Sequence, residues 1–194
     1  MSLEERYREV ARRVGGRALL VAVTKGQPAD AVRRLYDLGQ RDFGENRVDE
    51  LLAKAAALPG DARWHFIGNV QRNKAKLLAR ASLVHSFDRP DLARAWPRVP
   101  VLLQVDFTGR EDRSGLAPDA LAPALEACRA AGVDVRGLST LPPQDGEPRR
   151  WFRELRRLRD GLGLRELSMG MSADYEAALE EGATMVRVGR ALFG

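Results

Sequence analysis

The sequence predicts an α/β protein, a single-domain (β/α)8 TIM barrel over residues 1–194, with an N-terminal helix in place of the eighth helix. Three observations predict it. Eight short β-rich apolar runs recur, each followed by a polar turn and then a helical pattern, and strands that alternate with helices pair in parallel. The 194 residues suffice for one complete core and are few for two. No GxGxxG follows the first run, so a closed barrel is preferred to an open dinucleotide-binding sheet.

The opening segment Leu3–Val14 sets Leu3, Tyr7, Val10 and Val14 at helical spacing and fills the vacant eighth place in the helix ring. Strands are expected at 18–25, 41–45, 63–68, 83–87, 99–107, 133–140, 165–170 and 184–192. Between them, helices are expected at 28–38, 47–57, 72–80, 90–96, 118–131, 147–162 and 173–181, several opened by Pro, Asp or Asn as helix starts prefer. The last strand is expected to run to the end of the chain with no helix after it. The stretches 109–115 and 142–148 read as βα loops, functional or merely exposed.

Composition narrows the function. Hydrophobic residues make up 44% and charged residues 30%, ordinary for a folded globular protein and unlike a disordered chain. No apolar run reaches the roughly 18 residues of a membrane span, and the start lacks the layout of a signal peptide, so a cytoplasmic protein without membrane association is expected. The single cysteine, Cys128, lies in a predicted helix with no histidine near it, which excludes a disulfide framework and a cysteine-based zinc site. The net charge of +5 raises the question of nucleic acid. However, only four of the 32 basic residues are lysines, and acids interleave the arginines. Those of 149–165 fall on the outer face of an amphipathic helix, so no nucleic-acid partner is expected.

In a parallel barrel the C-terminal strand ends point into one mouth, where chemistry collects. They offer Lys25, Glu45 and Asn46, His65 with Gln71 and Asn73, His85 and Ser86, Asp106, Thr140, the run Ser168-Met169-Gly170-Met171-Ser172, and Arg187, Gly189 and Arg190. Lys25 ends an apolar run in a chain that almost avoids lysine. Partial desolvation and a nearby cation such as Arg187 favour the neutral amine, the form that attacks a carbonyl, although a lysine reaching out to water fits the position equally well. Backbone N–H groups of Gly189 and Arg190, with the Ser172 hydroxyl, suit a phosphate dianion, and the same glycines also suit plain tight turns. Arg187 shares Gly189's face of the strand and, pointing inward, needs an acceptor such as an aromatic ring nitrogen or a carboxylate. Together these three features describe a pocket for pyridoxal 5'-phosphate. The histidines, in neighbouring strands, can meet, but no third ligand accompanies them and a metal site is not expected. Asp106 and the pair Glu111 and Asp112 read as surface groups beside Arg110 and Arg113.

On these motifs the chain resembles the pyridoxal phosphate homeostasis proteins, single-barrel relatives of the N-terminal domain of bacterial alanine racemase. The resemblance runs from about residue 19 to 194. It rests on the lysine after the first strand, F-G-E-N at 43–46, W-H-F-I-G then Q-x-N-K within 64–74, H-S at 85–86, R-S-G at 113–115, L-S-M-G-M-S at 167–172 with Asp174, and V-R-V-G-x-x-x-F-G at 186–194. It implies that Lys25 carries the cofactor as a Schiff base, that Arg187 faces the pyridine nitrogen, that Ser172, Gly189 and Arg190 bind the phosphate, and that Asn46, His65 and Met169 belong to the same pocket. It further implies a part in vitamin B6 and amino-acid homeostasis without established catalysis, with amino acids or cofactor-accepting apoenzymes as partners. A monomer is expected. The chain departs from the family pattern at Asn69-Val70 before Gln71, at Arg113 in place of lysine, and at Arg190 in place of a small hydroxyl residue. Only the last touches the pocket, where it exchanges a side-chain donor for a guanidinium.

A permanent cation at the ring nitrogen makes the cofactor a poorer electron sink. A racemase also needs a second base, typically a tyrosine, and Tyr7, Tyr36 and Tyr175 all fall in predicted helices. A binder is therefore expected rather than an enzyme. The alternatives are a racemase-like enzyme or a Schiff-base aldolase of weak activity.

Overall fold

Successive side chains of a strand point to opposite faces, and in this chain one face of each strand meets helices while the other meets the opposite wall of a barrel. A computed structural model describes residues 1–110, 112–143 and 146–194. Eight parallel strands close in sequence order, β1 (Leu19–Val23), β2 (Asp42–Glu45), β3 (Arg63–Phe66), β4 (Leu83–Phe87), β5 (Val101–Val105), β6 (Val135–Thr140), β7 (Glu166–Ser168) and β8 (Met185–Val188), with β8 pairing back onto β1. Each falls within its expected segment. The closing register sets Val21 beside Arg187 and Ala22 beside Val188, which brings the two ends of the chain to one side of the mouth.

The α-helices are α1 (Leu3–Val14), α2 (Ala29–Asp37), α3 (Val48–Ala57), α4 (Leu121–Ala130), α5 (Pro148–Gly161), α6 (Tyr175–Glu180) and α7 (Arg190–Phe193). After β3 and β4 the chain forms 3-10 helices instead, at Arg72–Arg80 and Pro90–Ala95. The expectation for the end of the chain needs correction. Strand β8 stops at Val188, and residues 190–193 turn once as α7. Gly189, with φ −121° and ψ −75°, leaves the extended conformation and ends the strand.

Helix α1 occupies the eighth place as expected. Its start is a capping box, in which Glu5 N–H donates to Ser2 Oγ and Ser2 N–H donates to Glu5 Oε2. Arg6 joins it to the chain's end, donating from Nε to the Leu192 carbonyl at 2.7 Å and from Nη2 to that of Phe193 at 3.0 Å. Most of the core lies between sheet and helices and includes Phe43, Phe66, Phe87, Phe152 and Cys128. Burial raises the Cys128 thiol to about 11, so it is inert packing. A small separate cluster of Leu83, Leu102 and Met185, from β4, β5 and β8, fills the lumen from opposite walls. Polar side chains share the lumen with this cluster, among them Arg187, His85, His65 and Asp42.

Candidate functional site

Lys25 stands two residues beyond the end of β1, at the second position of a tight turn closed by Gln27 N–H donating to the Thr24 carbonyl at 3.0 Å. It is exposed, which corrects the expectation of a partly desolvated amine. The strand ends at Val23, so the buried environment stops at Thr24. What is buried is the turn's support. Thr24 Oγ1 donates to Glu45 Oε1 at 2.5 Å, Lys54 Nζ donates to the Thr24 carbonyl at 2.7 Å and to Glu45 Oε1 at 2.6 Å, and Glu50 Oε2 accepts from Lys54 Nζ and Gly26 N–H, each at 3.1 Å. Burial raises the Glu45 carboxyl, against the pull of Lys54 and Thr24. Its second oxygen has no partner among the described residues. Thr24 thereby faces this buried cluster, and Lys25 follows it on the exposed rim.

Across the seam between β8 and β1, the loops after β7 and β8 meet. Ser172 Oγ accepts from Gly189 N–H at 3.3 Å and from Ala191 N–H at 3.1 Å, leaving its own hydrogen to donate. Arg190 N–H opens α7, where no preceding helical carbonyl can accept it. Asp174 Oδ1 accepts from Met171 N–H at 2.6 Å and holds the loop's far side. Gly170 makes this crossing possible: its φ is +90°, and a Cβ there would stand 2.5 Å from the Ala178 Cβ and 2.9 Å from the Tyr175 Cα. The β8 loop lies against the base of the Lys25 turn, since a Cβ on Gly189 would be 3.3 Å from both the Cβ and the carbonyl oxygen of Val23.

Arg187 sits two register steps below Gly189, about 7 Å deeper in the barrel. It is buried inside the lumen. Nη1 donates to the Ser168 carbonyl at 2.8 Å and to Ser168 Oγ, and Nη2 donates to the Thr140 carbonyl at 2.8 Å. No carboxylate pairs with it among the described residues, and three of its five N–H groups are engaged. Burial lowers its pKa to about 10, so it remains a cation at neutral pH. A row of hydrogen bonds continues beneath it. Ser168 Oγ lies 2.7 Å from His85 Nδ1, His85 Nε2 is 2.8 Å from His65 Nδ1, and His65 Nε2 is 2.9 Å from Asp42 Oδ1, which Arg63 also holds from the surface.

Of the residues expected to form one site, the structure brings Lys25, Ser172, Gly189, Arg190 and Arg187 to the β8–β1 side of the mouth. Asn46 is exposed on the neighbouring rim and lines a cavity of about 130 Å³ with Phe66, Asn69, Gln71 and Lys74. Gly68 lets this rim close, because a Cβ there would stand 2.0 Å from the Asn46 carbonyl oxygen. His65 is buried below the mouth, within the row just described. The Met169 side chain points the other way, into the core between sheet and helices, as alternation after the inward Ser168 requires.

The two histidines do meet. Asp106 is engaged by its own loop, accepting from Thr108 and Gly109, and Arg110 pairs with Asp112 at the surface, while Glu111, Gln144 and Asp145 lie outside the described residues. Sequence reasoning missed Asp42 and Lys54. Each carried a signal: Asp42 shares the inward face of β2 with Gly44, and Lys54 takes a core position in the stripe Leu51, Lys54, Leu58.

The closed eight-stranded parallel barrel is the fold of the alanine racemase N-terminal domain. The whole chain, residues 1–194, matches that family and belongs to it. It is 45% identical over 193 residues to the pyridoxal phosphate homeostasis protein of Deinococcus radiodurans, covering 94% of this chain and 92% of that one. With the pyridoxal phosphate homeostasis protein of Aquifex aeolicus it shares 41% identity over 213 residues, covering 98% and 93%. PipY of Synechococcus elongatus, solved with pyridoxal phosphate bound, has the same fold at a TM-score of 0.89 and 35% identity over the full length of both chains.

Proposed function

We propose that this chain binds pyridoxal 5'-phosphate as a Schiff base on Lys25 and serves vitamin B6 and amino-acid homeostasis as a binder rather than an enzyme. The observation that carries the reading is the meeting of three unlike donors at the β8–β1 seam. The cofactor has three handles, an aldehyde, a ring nitrogen and a phosphate. The seam offers an amine on Lys25, unengaged N–H groups on Arg187, and the Ser172, Gly189 and Arg190 donors, so the residues fit the group. When bound, the cofactor supplies an electrophilic carbon and a conjugated ring. Asn46 flanks it at the rim, His65 acts from below through its neighbours, and the Met169 backbone carries the strand into the phosphate loop.

Two features support binding over turnover. Arg187 stays charged in its buried position, which disfavours a proton on a ring nitrogen beside it. None of the three tyrosines is a free base at the mouth. The Tyr7 and Tyr36 hydroxyls donate to Gln40 and Asp61, and Tyr175 is buried on α6 against the seat of Gly170. One barrel supplies every residue of the site, so the working unit is a single chain and residues 1–194 act as one binding domain.

The test is a spectrum of the purified protein with pyridoxal phosphate added, before and after borohydride, followed by mapping of the modified residue. A visible band that borohydride removes, with the label on Lys25, is expected. The Lys25→Ala variant should fold with an unchanged thermal midpoint and lose the band, because it removes an exposed amine. A band retained in that variant would overturn the assignment.

A further inference from the structure

We propose that Asp42, His65, His85 and Ser168 form a one-way hydrogen-bond relay that sets the position and charge environment of Arg187, making a carboxylate at the opposite end of the lumen part of the cofactor site. The inference rests on the reading of Arg187 as the partner of the ring nitrogen, and it extends that reading to residues far from the mouth.

The direction of the relay follows from donor bookkeeping. Arg187 can only donate, so Ser168 Oγ accepts from Nη1. Asp42 is ionised and can only accept. Burial alone would raise its carboxyl, but hydrogen bonds from His65 and Arg63 outweigh burial and hold it below the usual carboxylate value. His65 Nε2 must therefore carry a hydrogen toward Asp42. Burial first, and then the Arg187 cation, keeps the His85 pKa well below its ordinary value, so this ring is neutral with one donor and one acceptor.

The relay assigns one hydrogen to His65, on Nε2, so its Nδ1 accepts and His85 donates from Nε2. His85 then accepts at Nδ1, which directs the Ser168 hydroxyl hydrogen to it. Every link is satisfied in one direction, from the guanidinium to the carboxylate, and both rings are fixed as Nε2–H tautomers. No member has a spare role. Such a chain polarises its members cooperatively in a low-dielectric interior, so a change at Asp42 reaches Arg187 across four hydrogen bonds. Ser168 also turns its lone pairs, rather than its hydrogen, toward Arg187, which holds the guanidinium plane in place.

These are positioning residues, and the test uses readouts that simple packing would not move. The sequence contains only two histidines, so long-range 15N–1H correlation spectra of the labelled chain without cofactor, at pH 7.5, read both rings directly. Two Nε2–H patterns are expected in the parent. In Asp42→Asn, His85 should shift to a mixture of tautomers although it does not touch residue 42. An Nδ1–H or doubly protonated form of either ring in the parent, or an unchanged His85 in the variant, would overturn the relay.

The second readout is a binding cycle. Asp42→Asn and Ser168→Ala should each weaken pyridoxal phosphate binding about tenfold and shift the visible band, and the double variant should also lose about tenfold because the two act through one line. Ser168→Thr, which keeps the hydroxyl, should restore affinity to within about twofold. A hundredfold loss in the double variant would mean independent effects and sink the coupling. If the parent failed to bind the cofactor at all, the proposed function would fall, while the tautomer spectra would still decide the relay.

Discussion

At the scale of single residues, Lys54 shows how much of the site lies behind it. The residue is 7% exposed and its ammonium bonds Glu45, Glu50 and the Thr24 carbonyl, so it joins the strand that ends at Val23, the turn that carries Lys25 and helix α3. Removing one member of a buried ion pair leaves a charge without compensation, at a cost of about 3–5 kcal/mol. Lys54→Met should lose stability of that order in urea unfolding. Glu45 can relieve part of this by taking up a proton, since burial already raises its pKa. A carboxyl whose pKa is raised on folding binds protons better in the folded state, so it is least costly at low pH and most costly above its folded pKa. The deficit of the variant should therefore be larger at pH 8 than at pH 5. Equal deficits at both would show that the charge of Glu45 is not what Lys54 compensates.

At the scale of elements, the turn from β7 into α6 is a tight joint of the mouth. Gly170 adopts a φ that side chains avoid, and its Cα faces Ala178 and Tyr175 with no room for a methyl group. Arg187 N–H donates to its carbonyl at 2.9 Å, so the joint also ties β8 to the β7 loop. Gly170→Ala combines backbone strain with overpacking and should cost on the order of 3 kcal/mol in the thermal or urea transition. It should also weaken cofactor binding, because the Ser172 hydroxyl rides on the same loop. A variant of parent stability would mean that the loop can relax away from α6.

The whole molecule carries the neutral His85 inside a closed barrel, and this fixes the sign of its acid sensitivity. His85 has an ordinary pKa near 6.5 when unfolded and a much lower one when folded, from burial first and then from the Arg187 cation. Below 6.5 the unfolded chain binds a proton that the folded chain refuses, so stability falls as pH drops. From this group alone the loss at pH 5.5 is about 1.4 kcal/mol relative to neutral pH. Asp42 adds a second loss at lower pH. Its folded pKa lies below 3.8, so the stability it contributes is present above that value and disappears as pH falls through the folded one. Unfolding free energies of the parent and of His85→Gln at pH 7.5 and 5.5 check the first step. The parent should lose more than the variant between the two pH values, and identical losses would place the acid sensitivity elsewhere.

The sequence by itself determined the alternation of strands and helices, the closure of the barrel and the rim residues Lys25, Asn46, Ser172, Gly189 and Arg190, because hydrophobic period and turn chemistry are local properties. It also put the two histidines on neighbouring strands. Only the tertiary structure decided that Lys25 is exposed on a turn braced by Lys54, that β8 yields to a helical turn, that Met169 belongs to the core, and that His65 serves a buried row instead of the rim. The physical reason is distance along the chain. His85 meets Ser168 across 83 residues and Arg187 meets Thr140 across 47, contacts that exist only once the cylinder has closed.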